Sequence, residues 1–435
     1  MSRARRELQA SINGMAVGTL REETGLWSFE YETSWAESPQ GFDLAPNLPR
    51  ASGRIIDEGT QRPVQWFFDN LLPEEAAREV LARDAKLSSA DAFGLLTYFG
   101  KESAGALTLL PPGESQPATG LQPLSNDELH DRIAGLPRRA LATGAPKRMS
   151  LAGAQHKMAV CVRDGALFHP VGSTPSTHIL KPDHVDTDRY PYSVANEYFV
   201  MQLAARMELD VPPVEIRHVP DPVYFIERFD RVTQGAETRR LHAIDACQLL
   251  GLDRTFKYQQ ARAETLVRCI DRCQNRAQAR QELLRWALFN VMVGNGDAHL
   301  KNISFLVGPE GIRLAPFYDL VSSECYHAPP GKFPRWPEVP LSMPMGDAGT
   351  FGAVTRESIF GFAEELGASR AAASRVLDDL LSGLDRSAEA LYERFMQLQI
   401  PLPVICEGEL RVLRSIHKIV IREMLAQVRG AERAS

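Results

Sequence analysis

The chain has 435 residues, 44% of them hydrophobic and 24% charged, the balance of a globular protein long enough for two or three domains. Its formal net charge of −6 excludes a global basic field that would draw nucleic acid or anionic membrane to the whole surface. No apolar run approaches the roughly 18–20 residues of a membrane span, the basic start MSRARR leads into no signal-like apolar core, and Cys161, Cys247, Cys269, Cys273, Cys325 and Cys406 are scattered as reduced thiols of a cytoplasmic protein would be.

Residues 13–68 are rich in Gly, Trp, Phe and turn signals. GLWSFEYETSWAE, Gly25 to Glu37, alternates as a strand does, with Trp27, Phe29 and Tyr31 on one face. From Asn70 the pattern turns helical: in LLPEEAAREVLAR, Pro73 stands near the start and acids fill the first turn. PPGESQPATGLQP, Pro111 to Pro123, has the composition of a linker. A small α+β domain at 1–110 and a linker at 111–149 follow from this.

After a small-residue loop, SLAGAQHK, the stretches MAVCV and LFHPV read as a hairpin around Asp164-Gly165. THILKP is a short strand ending at Pro182, with Lys181 beside the end. SVANEYFVMQLAARM reads as a helix capped by Ser193. VEIRHV and VYFIERF form a second hairpin around Pro-Asp-Pro. The remainder is mainly helical, over about 243–293 and again about 355–430, with FAEELGASRAAASRVLDDLLSGL as one amphipathic example.

The densest polar group lies at GNGDAHLKNISFL, Gly294 to Leu306. The apolar helix QELLRWALFNVMV stops at Gly294, a good C-terminal residue. Asp297, His299, Lys301 and Asn302 follow. ISFLV, a Gly-Pro-Glu-Gly turn and IRLAPF then make a hairpin that returns the chain at Tyr318-Asp319, so Asp319 is expected near Asn302. Phosphoryl transfer calls for these groups: a carboxylate for the hydroxyl proton, hard oxygen ligands for magnesium, and a cation for the phosphates. Protein kinases place an Asn five residues after the catalytic Asp and a second Asp beyond a short hairpin. Here Asn302 is five after Asp297, and Asp319 lies 17 further on. His299 reads as a phosphate or backbone hydrogen-bond donor, with Asp297 as the base. A serine hydrolase is disfavoured because no Gly-x-Ser-x-Gly elbow exists.

The upstream half offers the rest of a kinase in order: the Ala152-Gly153-Ala154-Gln155 loop, Lys181, Glu197 on an apolar helix face where a buried carboxylate wants a cation such as Lys181, and a hairpin ending in Glu227-Arg228-Phe229. The loop follows neither the Gly-x-Gly-x-x-Gly nor the Walker pattern.

On RMSLAGAQHKMAV, HILKP, ANEYF, YFIERFDR, GNGDAHLKNISF and FYDLVS, in this order and at these spacings, the chain resembles the HipA family, the kinase toxins of bacterial toxin–antitoxin modules. GLWSFEYETSWAES and PVQWFFDNLLPEE resemble that family's small N-terminal domain. The resemblance implies an α+β chain with a bilobal, protein-kinase-like fold: a small N-terminal domain at 1–110, the linker, an N-lobe-like segment at 150–230 and a helical C-lobe at 231–435. It implies Mg-ATP-dependent Ser/Thr phosphorylation. Ala152, Gly153, Ala154, Gln155, His156 and Lys157 would form the phosphate loop, with Lys181 on phosphates and Glu227, Arg228 and Phe229 at the hinge. Asp297 would be the base. His299, Leu300, Lys301, Asn302, Tyr318 and Asp319 would meet nucleotide, with Asn302 and Asp319 also holding Mg2+. Ser150 matches an autophosphorylated serine, where a phosphate of about −1.5 to −2 charge would repel ATP phosphates and inactivate the chain. The family's substrate class is aminoacyl-tRNA synthetase, glutamyl-tRNA synthetase in particular, with growth arrest and persistence as the outcome. The implied partner is a DNA-binding antitoxin of the HipB type, through which operator DNA would mainly be contacted, with no membrane association. The proline-rich stretch Pro329 to Asp347 lies where kinases recognise substrate, and Pro344 stands where such chains often carry a cation. A small-molecule or lipid kinase and a catalytically silent binding regulator are the alternative functions.

Overall fold

The computed structural model describes residues 5–115, 118–149, 151–153, 155–235, 237–328, 334–397 and 403–430. It divides into two compact units. Met1–Pro182, Phe225–Phe256 and Ser304–Ala315 form the first; Asp183–Tyr224, Lys257–Ile303 and Pro316–Ser435 form the second. Helix and sheet are both well represented, as the α+β expectation required.

In the first unit an antiparallel sheet takes its strands in the spatial order Arg54–Ile56, Leu26–Tyr31, Met15–Glu23, Arg6–Ile12 and Leu107–Leu110. Trp27, Phe29 and Tyr31 are all buried, as the alternation predicts, but the strand ends at Tyr31 and a one-turn helix, Thr33–Ala36, follows. Phe29 packs on Phe68 of the helix Pro63–Asp69 with ring centroids 5.4 Å apart. The next helix starts at Glu75, two residues beyond Pro73, and runs to Asp84. The stretch 111–149 contains a strand, Gly120–Pro123, and a helix, Asn126–Ala134, capped by Ser125.

A second sheet centres on Met158–Arg163, paired to Ala166–Val171 on one side and His178–Pro182 on the other. Asp164 and Gly165 both take positive φ, at 48° and 77°, which is what a two-residue hairpin of this hand demands. A third sheet joins His242–Asp245, Ser304–Gly308 and Gly311–Leu314.

The second unit is mainly helical. Its core includes Trp286 of the helix Arg276–Met292, stacked on Phe317 at 5.9 Å. Two expectations are corrected here. FAEELGASRAAASRVLDDLLSGL is not one helix but the end of Arg356–Glu365 and the start of Arg370–Met396. Gly367, at φ 77°, stops the first, and the Ser369 side chain accepts the Ala372 N–H to start the second. Ser193 does not cap Ser193–Arg206 either. Asp183, ten residues upstream, accepts the Val194 N–H at 2.8 Å, while the Ser193 hydroxyl accepts the His184 N–H at 2.8 Å. The cap is supplied from outside the local window, where no short-range rule looks.

Candidate functional site

Within the second unit the polar loop is built as a continuation of an apolar helix. Arg276–Met292 ends at Val293, and Gly294 takes φ 66°, a conformation a side chain would strain. Asn290, still in the helix, accepts the Asn295 side-chain N–H at 2.7 Å, and Asn295 in turn accepts the Asp297 backbone N–H at 3.0 Å. The loop's base is therefore tied to the helix by two buried carboxamides.

Asp297 projects its carboxylate outward, with about half of the side chain exposed. The Tyr258 hydroxyl donates to its Oδ1. His299 Nε2 lies 4.0 Å from the same oxygen, and the His299 ring meets the Tyr258 ring edge-on at 4.9 Å. Two residues apart, the Asp and His side chains still converge on one point. Asn302 is buried and donates its side-chain N–H to the Asp297 carbonyl at 2.9 Å, so the five-residue spacing closes one tight turn. Leu300 and Lys301 are buried in the same turn. The Tyr318 hydroxyl donates to the Lys301 carbonyl at 2.9 Å, which brings the chain back beside the loop just before Asp319. Asp319 itself holds φ 57°, a costly conformation for a non-glycine residue. Buried Tyr224 has its hydroxyl pushed up by burial first, then by the negative charges of Glu197 and Asp319.

The donor set suits magnesium. Asn302 spends its NH2 on the Asp297 carbonyl, which leaves the amide oxygen, and Asp319 adds a carboxylate; both are the hard ligands Mg2+ takes. Among the described residues no group of three or more His, Cys, Asp or Glu is placed to hold a metal, which an Asn–Asp pair does not require.

Sequence reasoning missed a second support. Ser323 and Glu324 hold the loop by its backbone. The Glu324 N–H donates to the Gly294 carbonyl at 3.0 Å, and the Gly296 N–H donates to Ser323 Oγ at 2.7 Å. A β-carbon on Gly296 would stand 2.0 Å from Glu324 Oε1, so any larger residue there must push the Glu324 side chain aside. Burial, then the nearby Asp297 charge, raises the Glu324 carboxyl above its usual range against the pull of His327 and Ser323. Tyr258 was missed as well: it lies 39 residues before Asp297, and nothing in its surroundings marks it.

Within the first unit the small-residue loop is pinned to the chain around Pro73. Gly153 makes a parallel bridge with Pro73, and its carbonyl accepts the Glu74 N–H at 3.2 Å. Gly153 has φ 111°, and a β-carbon there would meet Lys157 Nζ at 2.5 Å. Lys157 Nζ donates to the Ala152 carbonyl at 2.7 Å, and the Gln155 side chain donates to the Pro182 carbonyl at 3.2 Å. His156 is half-buried in the same loop, and Lys181 is buried. Ser150 and Ala154 lie outside the described residues, as does part of the proline-rich stretch.

Glu227 is exposed and Phe229 half-buried against Ala243, Leu306 and Ala315. Arg228 is committed elsewhere. Its guanidinium meets Asp230 at 2.7 Å, Ser176 Oγ at 3.0 Å and the Ser103 carbonyl at 3.0 Å. Its backbone N–H donates to Thr177, and its carbonyl accepts from Arg231. The network goes on to Glu102, fully buried between Lys147 at 2.6 Å, Arg231 at 2.8 Å, Arg240 at 2.9 Å and Arg228 at 3.5 Å.

Fold and site together define a two-unit α+β protein with a helix-terminated Asp-x-x-x-x-Asn turn and a returning Tyr-Asp. The HipA N-terminal domain family matches residues 8–110, and the HipA-like C-terminal domain family matches residues 149–388. The chain belongs to the HipA family. It is 30% identical over 423 residues to the serine/threonine-protein kinase toxin HipA of Shewanella oneidensis, covering 92% of this chain and 91% of that one. It is 35% identical over 401 residues to Y4mE, a Sinorhizobium fredii protein named as a kinase, covering 89% and 91%. The solved HipA, HipB and operator DNA complex of Shewanella oneidensis MR-1 contains a chain matching at TM-score 0.77 and 26% identity, over 98% of this chain and 100% of that one. Among the described residues no helix is long and apolar enough to cross a membrane.

Proposed function

We propose that this chain is an Mg-ATP-dependent Ser/Thr protein kinase on a bilobal, protein-kinase-like fold, and the toxin of a toxin–antitoxin module. The observation that supports the reading is the turn in which Asn302 bonds the Asp297 carbonyl while the Tyr318 hydroxyl, one residue before Asp319, bonds the Lys301 carbonyl. Asp297, half exposed, accepts the proton of the acceptor hydroxyl. Asn302 and Asp319 hold Mg2+, which neutralises phosphate charge when bound. Lys181, His299, Leu300, Lys301 and Tyr318 contact nucleotide. Ala152 to Lys157 lie over phosphates, a role that suits a loop whose Gly153, at φ 111°, takes a backbone conformation other residues rarely adopt. Glu227 and Phe229 meet the base through their backbones. Arg228 serves by fixing that segment, since its side chain, N–H and carbonyl are all engaged within the first unit. Ser150 takes the autoinhibitory phosphate.

The likeness to a HipA chain solved with HipB and operator DNA supports a DNA-binding antitoxin of that type as partner. The acceptor protein is a component of translation, of the aminoacyl-tRNA synthetase class. Incubation with Mg-ATP followed by intact-mass measurement tests the reaction. Wild type gains one phosphate that maps to Ser150, and Asp297→Ala gains none. No mass gain in wild type, with no rise in melting temperature on adding nucleotide, overturns the proposal.

A further inference from the structure

One chain of buried and half-buried hydrogen bonds in the second unit joins a helix to the polar loop. Asn196, 1% exposed, sits in the helix Ser193–Arg206 next to Glu197. Its side chain makes a two-way pair with one backbone position: Nδ2 donates to the Ser322 carbonyl at 2.9 Å, and Oδ1 accepts the Ser322 N–H at 2.8 Å. The pair spans 126 residues of sequence. Ser322 is 0% exposed, so neither bond has water as a substitute partner. The next residue, Ser323, accepts the Gly296 N–H at 2.7 Å and donates to Glu324 Oε1 at 3.0 Å. Glu324 closes the set through its N–H on the Gly294 carbonyl.

Resting on the phosphotransfer reading, we propose that Asn196 is a positioning residue: through Ser322 and Ser323 it holds Gly296, and so sets the backbone from which Asp297 reaches the acceptor hydroxyl. The carboxamide suits this work. Its oxygen and one N–H lie in a plane as the complement of a backbone N–H and C=O on one residue, and its Nδ2 also donates to the Tyr326 hydroxyl at 3.1 Å. It also adds no charge beside Asp297. Since Glu197 occupies the adjacent position, displacement of the helix moves both the acid and the anchor of the loop. The phosphotransfer site is thereby made sensitive to where that helix stands.

The test uses the full chain with Asn196→Ala, Ser323→Ala and the double variant. Each single variant is expected to lose about 10–100-fold in kcat, the scale of a misplaced reacting group, while KM for ATP stays within about threefold. The double variant is expected to be no worse than the poorer single one, because residues acting as a unit are non-additive. Multiplying losses, or a change confined to KM for ATP, overturns the proposal. Amide hydrogen exchange over residues 294–297, without nucleotide, gives a readout independent of turnover. Exchange about tenfold faster or more is expected in both single variants; unchanged exchange in either folded variant overturns the linkage. Ser323→Ala, which removes one hydroxyl, serves if Asn196→Ala does not fold. A wild type without phosphoryl transfer would remove the kinase reading alone, and the exchange result would still decide whether Asn196 orders the loop.

Discussion

Glu102→Gln removes one charge from the buried network of the first unit and keeps the shape of the side chain. Around Glu102 and Asp230 stand Lys147, Arg228, Arg231 and Arg240: four cations against two carboxylates, an excess of two positive charges. Burial alone would raise the Glu102 carboxyl, yet Lys147 and the three arginines hold it well below the carboxylate range. Lys147 is displaced in the opposite energetic sense. Burial, assisted by Arg240 and Arg231, pushes its ammonium down to about 8 against the attraction of Glu102. The asymmetry follows from the count: one acid is shared among four cations, so it gains from each, while each cation also meets the others. Breaking a buried ionic network from the outnumbered side costs about 3–5 kcal/mol, a large part of the roughly 5–15 kcal/mol that holds a typical protein folded. At about 2–4 °C per kcal/mol for a domain of this size, the melting temperature should fall by roughly 6–20 °C.

Lys147→Met is the informative partner. It removes a cation from the side in excess and keeps most of the packing volume, losing the bond from Nζ to the Thr174 carbonyl. It should cost no more than about 1–2 kcal/mol. It should also change the pH dependence. A lysine near its ordinary value in the unfolded chain, about 10.4, keeps its proton between pH 8 and 10, where the folded Lys147 releases it. Stability therefore rises with pH across that window, and Lys147→Met flattens the rise. Urea denaturation at several pH values measures both. A Glu102→Gln protein within about 1 kcal/mol of wild type, or a Lys147→Met protein as damaged as Glu102→Gln, would refute the charge-excess argument.

At the acid end, burial pushes His242 down to about 4 despite its bond to the Leu44 carbonyl. The unfolded chain takes up that proton from about pH 6.5 downward, so stability is lost between pH 6.5 and 4, by up to about 3 kcal/mol. His242→Phe, which fits among Phe42 and Phe67, should flatten this slope in acid denaturation. Asp57 and Asp183, each raised to about 6 mainly by burial, act in the other direction and are left in place by the comparison. Gly296→Ala should keep the chain folded, force Glu324 aside and lower phosphoryl transfer by about tenfold or more, measured as the rate of phosphate incorporation. On the proposed reading, in which the acceptor hydroxyl takes the place of the tyrosine on Asp297, Tyr258→Phe should leave kcat within about threefold; a larger loss would place the tyrosine in the transfer step.

Local rules read the chain well where the cause is local. The Asp164-Gly165 turn, the alternation through Tyr31 and the helix stop at Gly294 each depend on a few adjacent residues. The Asp297 to Asn302 spacing was legible for the same reason, since its bond closes within one turn. What escaped is non-local. Asp183 caps a helix from ten residues away, Tyr258 meets Asp297 across 39, and Asn196 meets Ser322 across 126. Arg228 shows a subtler gap. Sequence order puts it in a candidate hinge, but only the folded chain shows Asp230, Ser176 and Ser103 already holding its guanidinium. The amphipathic run through Gly367 misled because apolar spacing continued across a stop and a cap that were both visible as residues.

The groups that fix Asp297 share a chemical trait. Asn290, Asn295, Asn302, Asn196, Ser322 and Ser323 are neutral, and they act on backbone N–H and carbonyl groups or on each other's carboxamides. A buried arginine could have held the same loop, but it would have drawn Asp297 into a fixed ion pair, which would oppose the proton-accepting role proposed for it. Neutral hydrogen bonds hold the backbone and leave the carboxylate face of Asp297 half exposed. The buried core of the first unit uses an ionic network instead, around Glu102. Glu324 is the exception near the loop, and its carboxyl is raised by burial beside Asp297. Its Oε1 stands where a β-carbon on Gly296 would go, so this acid and the loop backbone pack as one surface.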